Sequence, residues 1–347
     1  MKTFELLTQQ LPVIPMSTSW LIADLSESKG KQELFTRQSP QKLKILREHA
    51  IIESAVSSNR IEGVVIDHKR VGTVIFGKPL LKDRNEEEIS GYRDVLEMIH
   101  GKGSKIPISE ETIKNFHTFI RGDIWDAGLY KEKDGDIIER YPDGHERIRF
   151  RTVSAADTPH FMKQLARDWD SVLKERQIHP LIALAAFNLD FLCIHPFRDG
   201  NGRVSRLLLL LGCYYFGYEV GRYISLERLI EENKESYYET LELSSKLWHE
   251  GRHDPWPYIN YLLFILKTAY RQLEARTQGI TTPKGAKTEM VLSVIGELNQ
   301  FFSVSDLRQK CPGVGVDMMR KILKDLHKVG KLRCAGRGPN AQWEKMS

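Results

Sequence analysis

The chain has 347 residues, of which 28% are charged, and it carries a net charge of +5 and four cysteines. This length allows a sizeable core and two or three domains, whereas the sequence lacks a P-loop, a dinucleotide-binding fingerprint and an internal repeat. Its apolar segments are too short and interrupted to span a bilayer, and its start lacks a secretory signal, so we expect a soluble, cytoplasmic protein. Its cysteines lack CxxC spacing, and we expect them to be reduced thiols.

The first strong element is an amphipathic helix predicted over Pro40–Ile61. Its apolar residues recur at helical spacing on one side, and Gly63 follows as a C-terminal stop. Ser58 and Glu62 lie four residues apart at the end of this helix and therefore share a face. Taken alone, this pair is typical of a solvated helix end.

A β-hairpin is predicted further along the chain. Asp136–Tyr141 and Glu146–Phe150 flank the turn sequence Pro142-Asp143-Gly144. In the second strand Ile148 alternates with arginines, which indicates one wet, basic face. The exposed edge of such a hairpin could pair with an extended segment of another protein. An ordinary surface hairpin with solvated arginines is the alternative.

Two apolar helices surround the most informative segment of the chain. Residues Leu181–Ile194 form an almost unbroken apolar run, which is too long for an ordinary strand and indicates a buried helix. A second apolar helix is predicted from Arg203 to about Phe216. Between and across them, residues 195–206 read HPFRDGNGRVSR.

The functional groups of this segment fit a nucleotide phosphate. Gly200-Asn201-Gly202 can direct successive N–H groups at one anion, at the positive end of the second helix. Arg203 and Arg206 lie three residues apart, so we expect both guanidinium groups on one helix face near the same phosphate oxygens. Asp199 lies in this positive surround, where Mg²⁺ could bridge it to the phosphates. His195 is the candidate general base.

The segment His249–His253 fits the H-E-x-x-H pattern of zinc proteases. Such a site needs a continuous helix, but Gly251 interrupts this segment and Asp254-Pro255 ends any helix at once. We therefore expect no zinc here. The segment instead leads by a turn into an apolar helix over Trp256–Ala275.

The last part of the chain carries the basic excess. From Lys284 onward there are twelve Lys and Arg against six Asp and Glu, after a linker-like segment at Arg276–Gly285. We predict a helix over 288–300, a second over 305–310 capped by Ser303 or Ser305, a third over 316–329, and short strands over 331–334 and 341–344. This order resembles a winged helix-turn-helix domain. The third helix would offer Arg320, Lys321, Lys324 and Lys328 to DNA, although many such domains bind proteins instead.

The segment 195–206 resembles the signature of the Fic-domain family. The matching residues are His195, Phe197, Asp199, Gly200, Asn201, Gly202, Arg203 and Arg206. The resemblance implies an all-helical core with a small β-hairpin flap, and transfer of AMP from ATP to a Tyr, Ser or Thr hydroxyl of a protein. It further implies that His195 deprotonates the hydroxyl, Asp199 holds Mg²⁺ and residues 200–202 cradle phosphates. By the same resemblance Phe197 anchors the core, and Arg203 and Arg206 bind the leaving β- and γ-phosphates.

The resemblance extends to an inhibitory motif that accompanies many proteins of this family. Ser58, Glu62 and Gly63 match it, and the implied role falls on Glu62, which would pair with Arg206 and displace the γ-phosphate. The implied organisation is an N-terminal helical region with the inhibitory helix at 1–108, a catalytic core at 109–275 and the winged helix at 284–347. The expected partners are ATP and a target protein, which could be the protein itself, and no membrane.

Two other classes of function stay open at this point. One is a different Fic chemistry, either transfer of another nucleotide or removal of AMP from a modified protein with Glu62 as the base for water. The other is a transcription regulator whose core only senses nucleotide. A pure sensor would have no need of His195, which favours an enzyme.

Overall fold

The computed structural model describes residues 1–9, 13–37, 40–76, 81, 83–140, 143–278, 286–311, 314–336 and 341–346. Within these ranges the protein is mostly helical with two small antiparallel sheets, as the sequence predicts. Parts of three predicted connections lie outside the described residues: 141–142 of the hairpin turn, 279–285 of the linker and 337–340 between the last two strands.

The helices before the hairpin are α1 (Lys2–Thr8), α2 (Met16–Arg37), α3 (Pro40–Ile61), α4 (His68–Phe76), α5 (Arg84–Lys102) and α6 (Glu110–Arg121). The hairpin consists of β1 (Ile137–Arg140) and β2 (Glu146–Phe150). After it come α7 (Thr158–Glu175), α8 (Pro180–Ile194), α9 (Asn201–Tyr215), α10 (Leu226–Glu232), α11 (Lys234–Ser245) and α12 (Trp256–Gln278). Short 3-10 helices lie at Gly103–Lys105 and Val220–Arg222.

Helix α8 is the centre of the core. Every residue from Leu181 to Ile194 is buried, which confirms the interpretation of this apolar run as a buried helix. Helices α1, α7, α9 and α12 pack around it. Helix α9 comes close because Gly212 has no side chain: a Cβ there would lie 2.2 Å from Cδ1 of Leu184. The close approach of α8 and α9 sets the position of the segment that joins them.

Helix α3 is fixed to the core along its second half. Oγ of Ser54 donates to Oε2 of Glu227 on α10 at 2.6 Å, and the hydroxyl of Tyr92 on α5 donates to Oε1 of the same carboxylate at 3.0 Å. Ser54, Tyr92 and Glu227 are all buried. Because buried polar groups that are paired hold their partners in place, the end of α3 has a defined position beside α9.

The last part of the chain has its own apolar cluster, which includes Val291, Phe302, Leu307, Leu323 and Trp343. Its elements are α13 (Ala286–Glu297), β3 (Phe301–Ser303), α14 (Val304–Lys310), α15 (Val316–Lys328), β4 (Leu332–Ala335) and β5 (Gln342–Lys345). We call residues 286–346 the C-terminal domain. The three strands form one antiparallel sheet in the order β3-β5-β4.

The strand β3 is the difference from the sequence prediction, which had only two strands in this region. Its three residues are too few to show a period-2 pattern, and only Phe302 is buried. Pairing with β5 stabilises it, and Phe302 lies opposite Trp343. Ser303 caps α14 through a reciprocal pair of hydrogen bonds with Asp306, so the first of the two predicted caps is used.

The C-terminal domain contacts α3. Nε2 of His49 lies 2.8 Å from the carbonyl oxygen of Lys310 at the end of α14, and α13 also packs on α3. Nδ1 of the same ring lies 3.3 Å from Oε1 of Glu53, which in turn pairs with Arg228 of α10. The contact between the two parts of the protein is therefore continuous with a partly buried ion pair of the core.

None of the described helices is both long and apolar enough to cross a membrane. The most completely buried one, α8, has 15 residues. At about 1.5 Å per residue, such a helix is shorter than the ~30 Å hydrocarbon core of a bilayer.

Candidate active site

The first feature of the candidate site is the way α8 ends. His195 is the C-cap of α8 with a φ of 53°, in the left-handed region that non-glycine residues rarely adopt. Its N–H donates to the carbonyl of Phe191 at 3.0 Å, and Nδ1 of its ring lies 3.3 Å from the carbonyl oxygen of Leu192. Because a carbonyl only accepts, Nδ1 carries the ring proton and Nε2 has the lone pair.

The electrostatic surroundings keep this imidazole neutral. Burial, and then the positive charge of Lys131, lower the pKa of His195 to about 4. At neutral pH the ring therefore carries no charge, and Nε2 can accept a proton. The arrangement suits a general base.

A phosphate-sized cradle follows at the start of α9. Gly200 is the N-cap with a φ of 82°, and the first intrahelical bond runs from the N–H of Val204 to its carbonyl. The N–H groups of residues 201–203 precede that bond and form the positive end of the helix. The side chain of Asn201 points back into the loop: its Oδ1 accepts from the N–H of Phe197 at 2.9 Å and its Nδ2 donates to the same residue's carbonyl at 2.7 Å. Asn201 thus holds the loop by its side chain, so only its backbone N–H is left to contact an anion.

Asp199 is surrounded by arginines. Nη1 of Arg121 donates to its Oδ2 at 2.7 Å, while Arg203 and Arg84 lie 3.5 and 3.6 Å away. Burial opposes ionisation, but Arg203 and Arg121 outweigh it and lower the pKa of this carboxyl. Three guanidinium groups therefore offset the negative charge of this carboxylate in the structure.

The residues present fit Mg²⁺ only together with a bound nucleotide. Half of the Asp199 side chain is exposed, so its oxygens are accessible. No cluster of three or more acidic, His or Cys side chains that could hold a metal occurs among the described residues. Mg²⁺ in nucleotide sites is commonly held by one or two carboxylates plus phosphates and waters, and a single aspartate fits that donor set.

Arg203 is buried between Glu88 and the start of the cradle. Its Nη1 donates to Oε2 of Glu88 at 2.5 Å and to Oδ1 of Asn59 at 3.2 Å. Arg84 and Arg121 also contact Glu88, so this buried carboxylate joins three arginines. The three-residue spacing predicted both motif guanidinium groups near the same phosphate oxygens. In the structure Nη1 of Arg203 pairs with Glu88 and Asn59, and its Nη2 lies near Asp199. Sequence reasoning missed Glu88, Arg84 and Arg121, because they come from α5 and α6.

Arg206 faces the end of α3. Its Nε donates to Oγ of Ser58 at 2.8 Å, and its Nη2 donates to the carbonyl of Ser58 at 2.9 Å and to Oε1 of Glu62 at 2.8 Å. Its remaining nitrogen, Nη1, is buried and has no hydrogen-bond partner among the described residues. The structure thus brings the predicted inhibitory residues and the second motif arginine together.

The carboxylate of Glu62 lies in the cradle itself. A Cβ added to Gly202 would be 2.2 Å from Oε1 of Glu62 and 3.1 Å from Nη1 of Arg206. Glu62 therefore fills the space above the first turn of α9, where an anion is expected. Gly63 follows with a φ of 82°, which ends the chain's helical path after Glu62.

Residues of α10 and α11 contact the chain next to Glu62 twice, once at the backbone and once at a side chain. Nζ of Lys234 donates to the carbonyl of Ile61 at 2.9 Å, and Nη1 of Arg60 lies 2.9 Å from Glu231. Both partners lie at the junction of α10 and α11. Sequence reasoning missed Lys234, since its contact crosses more than a hundred residues of chain.

The hairpin lies beside these elements and is tied to α11. Arg149 donates to the carbonyl of Tyr238 at 3.0 Å and to Glu242 at 3.0 Å, and Arg147 also pairs with Glu242. The predicted arginines are thus ion-paired rather than freely solvated. Ile148 is 49% exposed instead of facing inward, because the two-stranded sheet stands off the core and covers it only near Phe150.

The two histidines of the H-E-x-x-H segment lie in different surroundings. Nε2 of His249 lies 2.7 Å from the carbonyl oxygen of Arg151, whereas Nε2 of His253 lies 3.0 Å from the hydroxyl of Thr3. The two rings therefore contact different elements.

Comparison with known proteins relates this site to one protein family. Residues 107–212 match the model of the Fic/DOC family. The segment that carries the site is therefore similar to a Fic/DOC domain. The domain contains His195 and the whole cradle, whereas Glu62 and Glu88 come from the chain before it.

The fold of the Fic/DOC domain and its surroundings recurs in solved structures. A Fic family protein from Desulfovibrio desulfuricans is 23% identical with a TM-score of 0.63, over 96% of this chain and 97% of that one. A Fic domain containing signaling protein from Bacteroides thetaiotaomicron is 20% identical with a TM-score of 0.62, over 74% of this chain and 98% of that one. Fic-1 from C. elegans is 18% identical with a TM-score of 0.59, over 76% and 74% of the two chains. At these identities the likeness is one of fold.

Proposed function

We propose that the protein is an adenylyltransferase that moves AMP from ATP to a Tyr, Ser or Thr hydroxyl of a target protein. The observation that carries this proposal is a neutral His195 next to an anion cradle that already holds a carboxylate, that of Glu62. The Fic/DOC domain at residues 107–212 supports a transferase that acts on proteins.

In the proposed reaction, the hydroxyl oxygen of the target attacks the α-phosphorus of ATP. Nε2 of His195 takes the hydroxyl proton, and the bond between the α-phosphorus and the oxygen that bridges to the β-phosphate breaks. The products are the AMP ester of the target and pyrophosphate. The free N–H groups of residues 201–203 and the guanidinium of Arg206 would stabilise the charge on the phosphates, whereas the N–H of Gly200 donates to Oδ1 of Asp199 at 2.6 Å.

Asp199 is the residue that would hold Mg²⁺ with the nucleotide. The bound ion would neutralise negative charge on the phosphates. Arg84 is more than half exposed at 55%, so it can move away from Asp199 more readily than Arg121. Arg121 would keep the aspartate in position while an oxygen is freed.

Glu62 is the proposed brake. Its carboxylate and a phosphate of ATP cannot occupy the space above Gly202 at the same time, because both are anions and would need the same Arg206. Only the side chain of Glu62 has to turn to free the cradle, since 31% of it is exposed while Ser58 stays buried on Arg206. The motif therefore inhibits without a movement of α3.

Removal of AMP from a modified protein is the second candidate. The observation that favours it is the position of Glu62, whose charge acts on His195 and whose carboxylate is partly exposed. Such a carboxylate could act as the base for a water molecule. The two candidates predict opposite effects of removing Glu62.

The C-terminal domain is proposed to bind a partner through α15. The helix, strand, helix, helix, strand, strand order supports the winged helix-turn-helix interpretation. Arg320, Lys321 and Lys324 are exposed on α15, and Lys328 lies near Asp325. This basic surface suits the phosphates of DNA or an acidic protein, and the two are separated by their dependence on salt.

The main experiment compares ATP labelled at the α-phosphate with ATP labelled at the γ-phosphate, incubated with the protein and a lysate of its source. Adenylyl transfer puts only the α-label on protein, and mass spectrometry then identifies the modified side chain. We expect His195→Ala to bind ATP normally and to lose about two to four orders of magnitude in rate. His160→Ala, a change at an exposed histidine of α7, is the matched control. Incorporation of the γ-label, or normal labelling by His195→Ala, contradicts the proposal.

A further inference from the structure

We infer that His117 is a positioning residue on α6 that fixes the catalytic loop 195–200. The inference rests on the proposed function for its kinetic consequence, but its structural part does not. His117 lies on α6 and is 1% exposed. It lies outside the motif at residues 195–206 but contacts several residues of that motif.

The ring of His117 contacts the loop over its whole face. It stacks on Phe197 with ring centroids 3.8 Å apart and an interplanar angle of 3°. Its edge reaches Gly200, where an added Cβ would lie 3.4 Å from Cδ2 of His117. The loop therefore lies directly on this ring between Phe197 and Gly200.

Both ring nitrogens make hydrogen bonds of fixed direction. Nε2 lies 3.0 Å from the carbonyl oxygen of Asp199, and Nδ1 accepts from the N–H of Gly128 at 2.9 Å. A carbonyl only accepts and a backbone N–H only donates, so Nε2 must carry the proton and Nδ1 the lone pair. One neutral tautomer of His117 thus satisfies both neighbours.

The bond to Asp199 acts on the cradle. The carbonyl of Asp199 belongs to the same peptide group as the N–H of Gly200, so holding this oxygen orients that peptide. The orientation in turn sets where α9 begins and where its free N–H groups point. An apolar ring at position 117 would keep the stack but not this constraint.

Helix α6 holds Asp199 twice. His117 holds its backbone carbonyl, and Arg121, four residues later, holds its carboxylate at 2.7 Å. Residues four apart on a helix share a face, so both contacts come from one rigid surface. We infer that α6 sets the position of Asp199 relative to the cradle.

Two substitutions separate packing from hydrogen bonding. His117→Phe keeps the aromatic stack and removes both polar atoms. His117→Gln keeps one donor and one acceptor at nearly the same separation and loses the stack. If the hydrogen bonds position the loop, the Gln variant retains function better than the Phe variant.

The first measurement needs no nucleotide. In protein labelled with ¹⁵N-glycine, the amide of Gly128 is expected to exchange slowly in the wild type and in His117→Gln. In His117→Phe we expect exchange at least about tenfold faster, because the acceptor is gone. Equal protection in all three proteins would overturn the inference whatever the protein does.

The second measurement is kinetic and uses Glu62→Gly as the background, so that labelling is readily seen. We expect His117→Phe to lower kcat for α-phosphate labelling by about tenfold to a hundredfold, because a small misplacement of reacting groups has an effect of this order. KM for the target should stay the same, and His117→Gln should recover most of kcat. A background that does not label at all rejects the proposed function and leaves the exchange result standing.

A third variant covers a failure of folding. If thermal unfolding shows that His117→Phe is not folded at the assay temperature, His117→Met removes both polar atoms with a flexible side chain. A folded Phe or Met variant with the kcat of the background contradicts the positioning role. So does a folded Gln variant that recovers no more kcat than the Phe or Met variant does.

Discussion

Oε1 of Glu62 and Nη2 of Arg206 lie 2.8 Å apart, although 144 residues of chain separate them. The guanidinium is buried, with 2% of its side chain exposed, whereas the carboxylate is partly open to solvent. Since Ser58 holds the other side of the same guanidinium, Arg206 stays in place when Glu62 leaves. The carboxylate of Glu62 can thus exchange for another anion, while the guanidinium of Arg206 stays fixed.

Replacing Glu62 tests this exchange. We expect Glu62→Gly to bind ATP more tightly and to raise α-phosphate labelling by on the order of tenfold to a hundredfold, since a charge-assisted hydrogen bond is worth about 1.5–3 kcal/mol. Calorimetric titration and self-labelling measure the two effects. Glu235→Ala, at an exposed position of α11, is the control. A variant that labels less than the wild type would favour AMP removal instead.

Asp199 is expected to carry the dependence of nucleotide binding on Mg²⁺. In the wild type, removing Mg²⁺ with a chelator should weaken ATP binding, whereas Asp199→Ala should bind ATP equally with and without the ion. Asp123→Ala, in the loop after α6, is a suitable control. A strong effect of Mg²⁺ that persists in Asp199→Ala would place the ion elsewhere.

The pH dependence of transfer should report the pKa of His195. This pKa is lowered from 6.5 to about 4, so the base is neutral above that range and the rate is flat around pH 7. The rate should fall only as the pH drops through about 4, where the ring gains a proton.

The charge of Lys131 offers a second test of the acid limb of the pH profile, which is the fall of the rate at low pH. Lys131 donates to the carbonyl of Ile194 at 3.1 Å and is one cause of the lowered pKa of His195. In Lys131→Met the positive charge is gone, so the acid limb should move to higher pH. Lys133→Met, at an exposed neighbour, should leave it unchanged. A limb that stays in place in Lys131→Met would mean that burial alone sets this pKa.

If α15 binds duplex DNA, the affinity of the C-terminal domain is expected to fall with salt, by about 0.9 log units per log unit of salt for each phosphate contact. Exchanging Lys321 and Lys324 for Gln should remove about two phosphate contacts, and the slope should become less steep accordingly. Lys102 and Lys105, which lie outside the C-terminal domain, provide a control pair of the same charge change. Salt-insensitive binding, or none at low salt, would favour a protein partner.

The sequence predicted those parts of the fold and site that depend on neighbours in the chain. The bounds of α3 were predicted at Pro40 and Ile61, and α8 was recognised by its unbroken apolar run. The loop 195–200 was predicted as well, because its glycines, its base and the helix that follows are contiguous. In each case a local pattern carries the physical cause.

The partners of the motif could not be predicted in the same way. Glu88 and Arg121 hold Arg203 and Asp199 from helices that lie about 80 to 115 residues earlier, and a charged residue on a helix gives no sign of its partner. His117 is a single histidine in an apolar pattern, which is more often a core residue. These contacts depend on how α5 and α6 pack against α9, and packing is a property of the tertiary fold.

The left-handed backbone conformation of His195 lowers the stability of the protein at the residue that the proposed reaction needs. With a φ of 53°, this C-cap is a site where glycine would be the more stable residue, by roughly 1 kcal/mol. We therefore expect His195→Gly to abolish transfer yet unfold at a higher temperature than His195→Ala, in a thermal melt. Glycine at position 195 would make the protein more stable but inactive. The histidine there therefore indicates selection for activity rather than for stability.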